Sequence, residues 1–336
     1  MGLLRKERLV RAMGGQGYDR PPVICPGGMM SAATLDVLAR GPADFHIDAL
    51  AMAQVARAIQ QYTGFENLGV PFCMTVEAES WGAGVDLGTP EVEPRITRYS
   101  FAKLGEAVEW EVDPVARSPR GRVVLEAIGL LKRDAGDLPV VANLTGPVSL
   151  ATSLMEPMDF FRLLRRDPVG VKAWLDRLTH CLVEFGQAQV TAGADVVTIA
   201  DPTATGEILG KKNFDTFAAP YLARLVRSLQ EAGAPVVLHI CGNATQLVES
   251  LRDIPGATLS FDAMVDMGLA QRLLPGRVLM GNVSTILLHQ GEPEKITLTA
   301  RRLVERGVAV ISPACGISLA TPRANLRALT RAVQEG

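Results

Sequence analysis

The sequence predicts one α/β domain spanning residues 1–336, a (β/α)8 TIM barrel with an N-terminal helical extension and a hairpin insertion after the second strand. Short apolar, β-branched runs alternate with longer amphipathic stretches along the whole chain, the pattern of parallel strands joined by helices. The strand-like runs reach eight, the number that closes a barrel. No Gly-x-Gly-x-x-Gly follows the first of them, which weakens the competing open doubly wound sheet.

Residues 1–11 place charges on both sides of their apolar positions and read as an amphipathic helix, not as a secretory signal. Strands are expected at 22–25, 68–72, 139–143, 195–200, 236–239, 258–262, 278–281 and 308–312. Helical periodicity lies between most of them, at 44–63, 120–134, 169–192, 214–232, 244–253, 265–274, 293–305 and 322–334. Gly193, Gly233 and Gly307 stand where three of these helices must stop, and Pro293 and Pro322 mark two starts. Residues 81–112 break the rhythm: Val92, Pro94, Ile96 and Arg98 alternate, and Asp86-Leu87-Gly88 and Thr89-Pro90 are turn sequences. This stretch is expected to be a hairpin insertion over the barrel mouth or at a partner surface.

Composition excludes several classes. Apolar residues make up 48% and charged residues 21% of the 336, enough for a large core, and the net charge of −2 offers no electrostatic footprint for nucleic acid. No apolar run is long enough to span a bilayer. Five cysteines, an odd number in a long chain, argue against a disulfide framework and for a reducing cytoplasm.

In a barrel the C-terminal ends of the strands carry the chemistry. Read in order, those ends bear Gly27-Gly28, Glu77 and Glu79, Thr145, Asp201, His239 with Cys241, Asp262, Asn282 and Cys315. His239 and Cys241 are two apart, so on an extended segment they share a face. With Cys315 from the last strand they form an imidazole and two thiols, the soft donor set that zinc prefers, and three ligands leave the fourth position open, as in catalytic sites. Either cysteine alone would read as a small buried hydrophobe. Cys25 and Cys73 also end strands, as packing residues or spare ligands. Glu77, Glu79, Asp201 and Asp262 could each supply a displaceable fourth ligand or a partner for His239, with Asp201, which ends the strand beside His239, the first choice. The Gly27-Gly28-Met29 stretch suits close approach of a flat apolar surface or a tight turn.

Several segments carry a resemblance. They are Asp19-Arg20-Pro21-Pro22-Val23, Cys25-Pro26-Gly27-Gly28-Met29-Met30, the run from Glu66 to Glu79, Ala200-Asp201-Pro202-Thr203-Ala204-Thr205-Gly206, His239-Ile240-Cys241-Gly242, Met280-Gly281-Asn282-Val283-Ser284-Thr285 and Ser312-Pro313-Ala314-Cys315-Gly316. In them, and over essentially its whole length, the chain resembles the methylcobamide:coenzyme M methyltransferases, a branch of the uroporphyrinogen decarboxylase superfamily. The resemblance implies a (β/α)8 barrel and zinc on His239, Cys241 and Cys315. It also implies transfer of a methyl group from methylcobalamin, carried by a separate corrinoid protein, to a zinc-activated thiol such as coenzyme M. Gly27, Gly28, Met29, Asp262 and Asn282 become expected substrate-side residues, and Asp201, Glu77 and Glu79 expected catalytic ones. Decarboxylating members carry arginines after the first strand to hold the carboxylates of a porphyrinogen. This chain has none there, which disfavours decarboxylation. Tetrahydrofolate as acceptor, or a non-catalytic zinc- or corrinoid-binding barrel, are the other readings, and homo-oligomerisation stays open.

Overall fold

The structure is a computed structural model and describes residues 2–26, 42–89, 92–111 and 113–335. Strand β1 (Leu68–Val70) is followed by the antiparallel pair β2 (Gly84–Asp86) and β3 (Arg95–Arg98). Then come β4 (Val140–Thr145), β5 (Val196–Ala200), β6 (Val236–Ile240), β7 (Thr258–Phe261), β8 (Leu279–Val283) and β9 (Val310–Pro313). Strands β1 and β4 to β9 form one curled, parallel sheet in chain order, with helices between them.

The first expected strand, at 22–25, closes the barrel, but as a bridge and not a ladder. Val23 pairs in parallel with Ile311 of β9, with Ile24 N–H donating to Ile311 O at 3.0 Å and Ile311 N–H to Pro22 O at 2.9 Å. Pro21 and Pro22 have no N–H to offer, which keeps the pairing short. On the β1 side, Glu66 N–H donates to Val23 O at 2.8 Å, and side chains add to this backbone bond. Asn67 accepts from Cys25 N–H at 2.9 Å and donates to Cys25 O at 2.8 Å. Glu66, almost fully buried, accepts from Val23 N–H at 3.0 Å and from the guanidinium groups of Arg8 and Arg20. The result is a (β/α)8 barrel whose seam is closed by a backbone bond reinforced by an amide and a carboxylate.

The N-terminal helix Arg5–Met13 plugs the floor. Its Leu9, Ala12 and Met13 pack with Ile24, Val141, Val196, Val237, Met280 and Val310, which point inward from the N-terminal ends of the strands. The helix is held there by Arg5–Asp137, Arg8–Asp19 and Lys6–Asp195 pairs. At the outer ring the last helix, Arg323–Gln334, bonds to the end of helix Ala49–Thr63: Thr330 Oγ1 donates to Thr63 O and Gln334 to Gly64 O.

The glycine stops at 193, 233 and 307 all adopt positive φ. The helical stretch at 44–63 is divided at Asp48, whose side chain caps the second piece by accepting from Ala51 N–H. Helices Pro147–Leu154 and Pro157–Arg166 were not expected, although a proline opens each of them. The insertion forms the expected hairpin, followed by helix Leu104–Glu109. It is anchored by edge-on ring contacts of Phe101 with Trp81, Trp110 and Trp174.

Candidate active site

Along β6 the alternation sends Val236, Leu238 and Ile240 toward the helices and Val237 and His239 into the barrel. Cys241 follows on the same inward face. Gly242, at φ +67°, then turns the chain away, a backbone conformation that favours glycine. The last strand is prolonged past Pro313 by Ala314 N–H donating to Val283 O at 2.8 Å, which delivers Cys315 to the mouth. His239 Nε2 lies 3.1 Å from Cys241 Sγ, and Cys241 Sγ 3.1 Å from Cys315 Sγ. All three donor atoms lie within 4.8 Å of one another.

This donor set suits a soft divalent ion: sulfurs about 2.3 Å from zinc stand roughly 3.8 Å apart in a tetrahedral site, so the two sulfurs, 3.1 Å apart here, would separate slightly to admit one. Its electrostatics point the same way. Cys241 and Cys315 are within hydrogen-bond reach of each other, and either thiol can donate. The hydrogen bond from Cys241, helped by His239, holds Cys315 well below the usual thiol range, while the same contact and burial push Cys241 up. A dication between them would replace the proton of that hydrogen bond.

His239 Nδ1 meets Ser260 Oγ at 3.0 Å, which leaves Nε2 for the metal side. Ser260 is the register partner of His239 on β7. Removing a group that orients a ligating imidazole typically costs ~10–100-fold in metal affinity. Ser260→Ala is therefore expected to lower zinc affinity by that factor in chelator competition, and an affinity within twofold of the parent would refute the orienting role.

The expected carboxylates have other partners. Fully buried Asp201 accepts from Val148 N–H, Ser149 N–H and Ser149 Oγ at 3.1, 2.8 and 2.6 Å, at the start of helix Pro147–Leu154. Burial pushes its carboxyl up to about 6 in spite of these donors. A Cβ on Gly146 would stand 2.4 Å from the Asp201 Cβ, so the glycine permits this close approach. Glu77 is buried against Thr145, accepting from its N–H at 2.9 Å and its Oγ1 at 3.1 Å. Glu79 pairs with Arg120 at 3.2 Å. Asp262 accepts from Gly242 N–H and Met264 N–H, and Asn282 donates to Asp262 O and Val265 O, so both brace the turn beside Cys241. No hydrogen bond joins any of these carboxylates to His239, whose partner is a hydroxyl. Gly27, Gly28 and Met29 lie outside the described residues.

A cavity of about 430 Å³ opens at the strand C-termini beside the three donors. Thr145 and both Cys25 and Cys73 line it, as do Asn143, Thr198 and Ser260. Cys73 Sγ also accepts from the buried Arg120 guanidinium at 2.9 Å. Glu93 and Pro94, between β2 and β3, bring the insertion to the cavity. Sequence reasoning did not single out Ser260 or Glu93. Ser260 could have been found from strand register, two residues before Asp262 on the same face. Glu93 had no signal beyond its place in the insertion.

Fold and site together define a (β/α)8 barrel with one imidazole and two thiols, a set able to hold a metal ion, gathered at the C-terminal ends of its strands. The profile of the uroporphyrinogen decarboxylase (URO-D) family matches residues 4–336. The chain belongs to the uroporphyrinogen decarboxylase family and, within it, to the branch of the methylcobamide:coenzyme M methyltransferases. It is 33% identical over 328 residues to the methylcobamide:CoM methyltransferase MtbA of Methanosarcina acetivorans, covering 96% of this chain and 95% of that one. A solved methyltransferase from Methanosarcina mazei superposes with a TM-score of 0.93 at 30% identity, over 99% of both chains. The uroporphyrinogen decarboxylase of Mycolicibacterium smegmatis is 28% identical over 250 residues, 71% of this chain and 68% of that one. Among the described residues no helix is long and apolar enough to cross a membrane.

Proposed function

We propose that this chain is a zinc-dependent methyltransferase that moves a methyl group from a methylated corrinoid, carried by a separate corrinoid protein, to a small thiol such as coenzyme M. The observation that carries the reading is the convergence of His239, Cys241 and Cys315 on one point at the wall of a cavity sized for a small molecule. When bound there, zinc supplies a position at which an acceptor thiol is held deprotonated at neutral pH. A free thiol, with its pKa near 8.5, is only a few per cent thiolate at that pH.

The residues of the chain divide the remaining work. Cys241 and Cys315 offset the charge of the ion, so that the acceptor sulfur keeps its electron density. Ser260 sets the His239 ring. Asp262 and Asn282 hold the turn after Cys241, Glu77 holds Thr145 in the cavity wall, Glu79 balances Arg120, and Asp201 fixes the helix at the cavity edge; these are positioning roles. In the transfer itself the acceptor sulfur bonds to the methyl carbon as the cobalt–carbon bond breaks, and the electron pair of that bond stays on cobalt as Co(I).

Exposed Met74, Ile208, Met264 and Ile286 all come from segments that follow strand ends, and they offer apolar surface to a docking protein on that side of the barrel. Gly27, Gly28 and Met29 are assigned to the corrin side. All five cysteines are free, which suits a cytoplasmic enzyme, and residues 1–336 act as one barrel domain carrying the 81–112 insertion.

The test is metal content together with turnover of free methylcobalamin, followed by the absorbance of Co(I), with coenzyme M, homocysteine and tetrahydrofolate offered in turn. About one zinc per chain and thiol-dependent demethylation are expected. Turnover with tetrahydrofolate alone would overturn the zinc–thiolate account, and absence of zinc and of turnover would leave only a binding protein.

A further inference from the structure

A second concave surface lies on the outer flank of the barrel. Helix Pro293–Glu305 and helix Arg323–Gln334 both run back from the strand ends and pack side by side. The groove between them measures about 710 Å³, and none of the described residues lining it lines the cavity at the strand C-termini. Its walls carry four guanidinium groups, Arg301 from one helix and Arg323, Arg327 and Arg331 from the other. One carboxylate, Glu335, stands at the far end. Two of the four cations are held by neutral partners. Arg327 donates from Nε to Tyr62 O at 2.6 Å and from a terminal nitrogen to Gln61 O at 2.7 Å. Arg323 lies over the Tyr62 ring, 4.4 Å from its centroid. These contacts fix the two side chains without cancelling their charge, so engaging an anion here costs little further side-chain entropy. Arg301 and Arg331 are exposed.

Spacing decides what fits. Arg323, Arg327 and Arg331 stand four apart, so they rise along one ridge in steps of about 6 Å. One position on, Ala324, Ala328 and Ala332 form a floor on which another backbone can come close. On the facing helix Leu298, 50% exposed, borders a shallower hollow that shares Pro293, Thr297 and Arg301 with the groove. A helix laid along the groove with carboxylates at every fourth residue repeats the same step of about 6 Å, and its apolar side chains would cover the alanines and Leu298. A nucleic-acid strand would answer the charge but leave that apolar surface open to water. We propose that this groove docks an acidic amphipathic helix of a partner protein, held by carboxylate–guanidinium pairs to the arginine ridge and to Arg301. The site is separate from the catalytic face, so its occupant does not compete with the acceptor thiol.

The experiment uses the zinc-loaded full-length chain and three fluorescent probes, with affinity read by anisotropy. One probe is a 20-residue alanine-rich helical peptide carrying Glu at four positions spaced by four, with Leu beside them. The second has Gln in place of each Glu, and the third is a 20-nucleotide oligothymidylate. The Glu peptide is expected to bind at least tenfold more tightly than either of the others, and to weaken as salt rises from about 50 to 300 mM. Arg301→Glu combined with Arg331→Glu is expected to weaken it at least tenfold. Arg165→Glu combined with Arg166→Glu makes the same charge change on helix Pro157–Arg166 and is expected to alter binding less than twofold. All four arginines are exposed, and the urea midpoints and zinc contents of both double variants should match the parent. Equal affinity for the Glu and Gln peptides, tighter binding of the oligothymidylate, or an equal loss in the two double variants would each overturn the proposal. So would a Glu peptide that fails to bind below about 1 mM.

Discussion

Replacing Cys241 by alanine is expected to remove zinc and to abolish thiol-dependent demethylation while leaving the barrel folded. The site has three protein donors within 4.8 Å of one another, so losing one leaves two, too few for the three-ligand arrangement of catalytic zinc. Loss of an orienting partner outside the ligand sphere already costs ~10–100-fold, and loss of a ligand itself must exceed that. Metal content should fall from about one per chain to near zero, and kcat/KM by well over 100-fold. The fold should survive. The sulfur is partly exposed at the cavity wall, and the apolar layer below it, Val141, Val196, Val237 and Val310, is untouched. The discriminating measurement is zinc content beside the urea midpoint of the zinc-free protein. Zinc retained at the parental level would refute the assignment of Cys241, and a collapsed midpoint would mean that the residue is structural.

Glu66→Gln is expected to destabilise the protein by about 3–5 kcal/mol, the usual cost of breaking a buried ion pair by removing one partner. The carboxylate is nearly inaccessible and accepts from Arg8, from both terminal nitrogens of Arg20 and from Val23 N–H. An amide offers one acceptor oxygen and turns its NH2 toward donors, so guanidinium charge is left buried without its counter-ion. Arg8 keeps Asp19 as a partner, which makes Arg20 the more exposed to the loss. The same change loosens the seam between residues 22–25 and β1, where side-chain bonds reinforce the backbone bond from Glu66 N–H to Val23 O. The urea midpoint measures it, and a loss below about 1 kcal/mol would show that the seam does not depend on this charge.

The alternation of strands and helices was legible because it is written locally, in β-branched runs, glycine stops and proline starts. The strand at 22–25 was legible as an apolar run, but its incomplete pairing was not. That depends on Glu66 and Asn67, which come from a different stretch of chain and look unremarkable in sequence. The clustering of one imidazole and two thiols was legible as well. His239 and Cys241 are two apart on one strand, and Cys315 sits at the end of another.

The carboxylates show where local reading stops. Asp201, Glu77, Glu79 and Asp262 all follow strands and all look suited to a metal. A carboxylate, however, goes to whichever donors the folded chain presents, and that is a property of packing. Asp201 meets the free N–H groups that begin helix Pro147–Leu154, and Glu79 meets a buried guanidinium. Ser260 reaches His239 because parallel register sets Ser260 beside it, and Glu93 reaches the mouth because aromatic contacts dock the insertion.

By itself, then, the sequence determined the barrel, its insertion and the identity of the soft donors, since periodicity and residue chemistry are carried along the chain. Only the tertiary structure decided how the seam closes, which hydroxyl holds the imidazole and which carboxylate faces the cavity. Those depend on distances between groups far apart in sequence, and such distances exist only once the chain has packed.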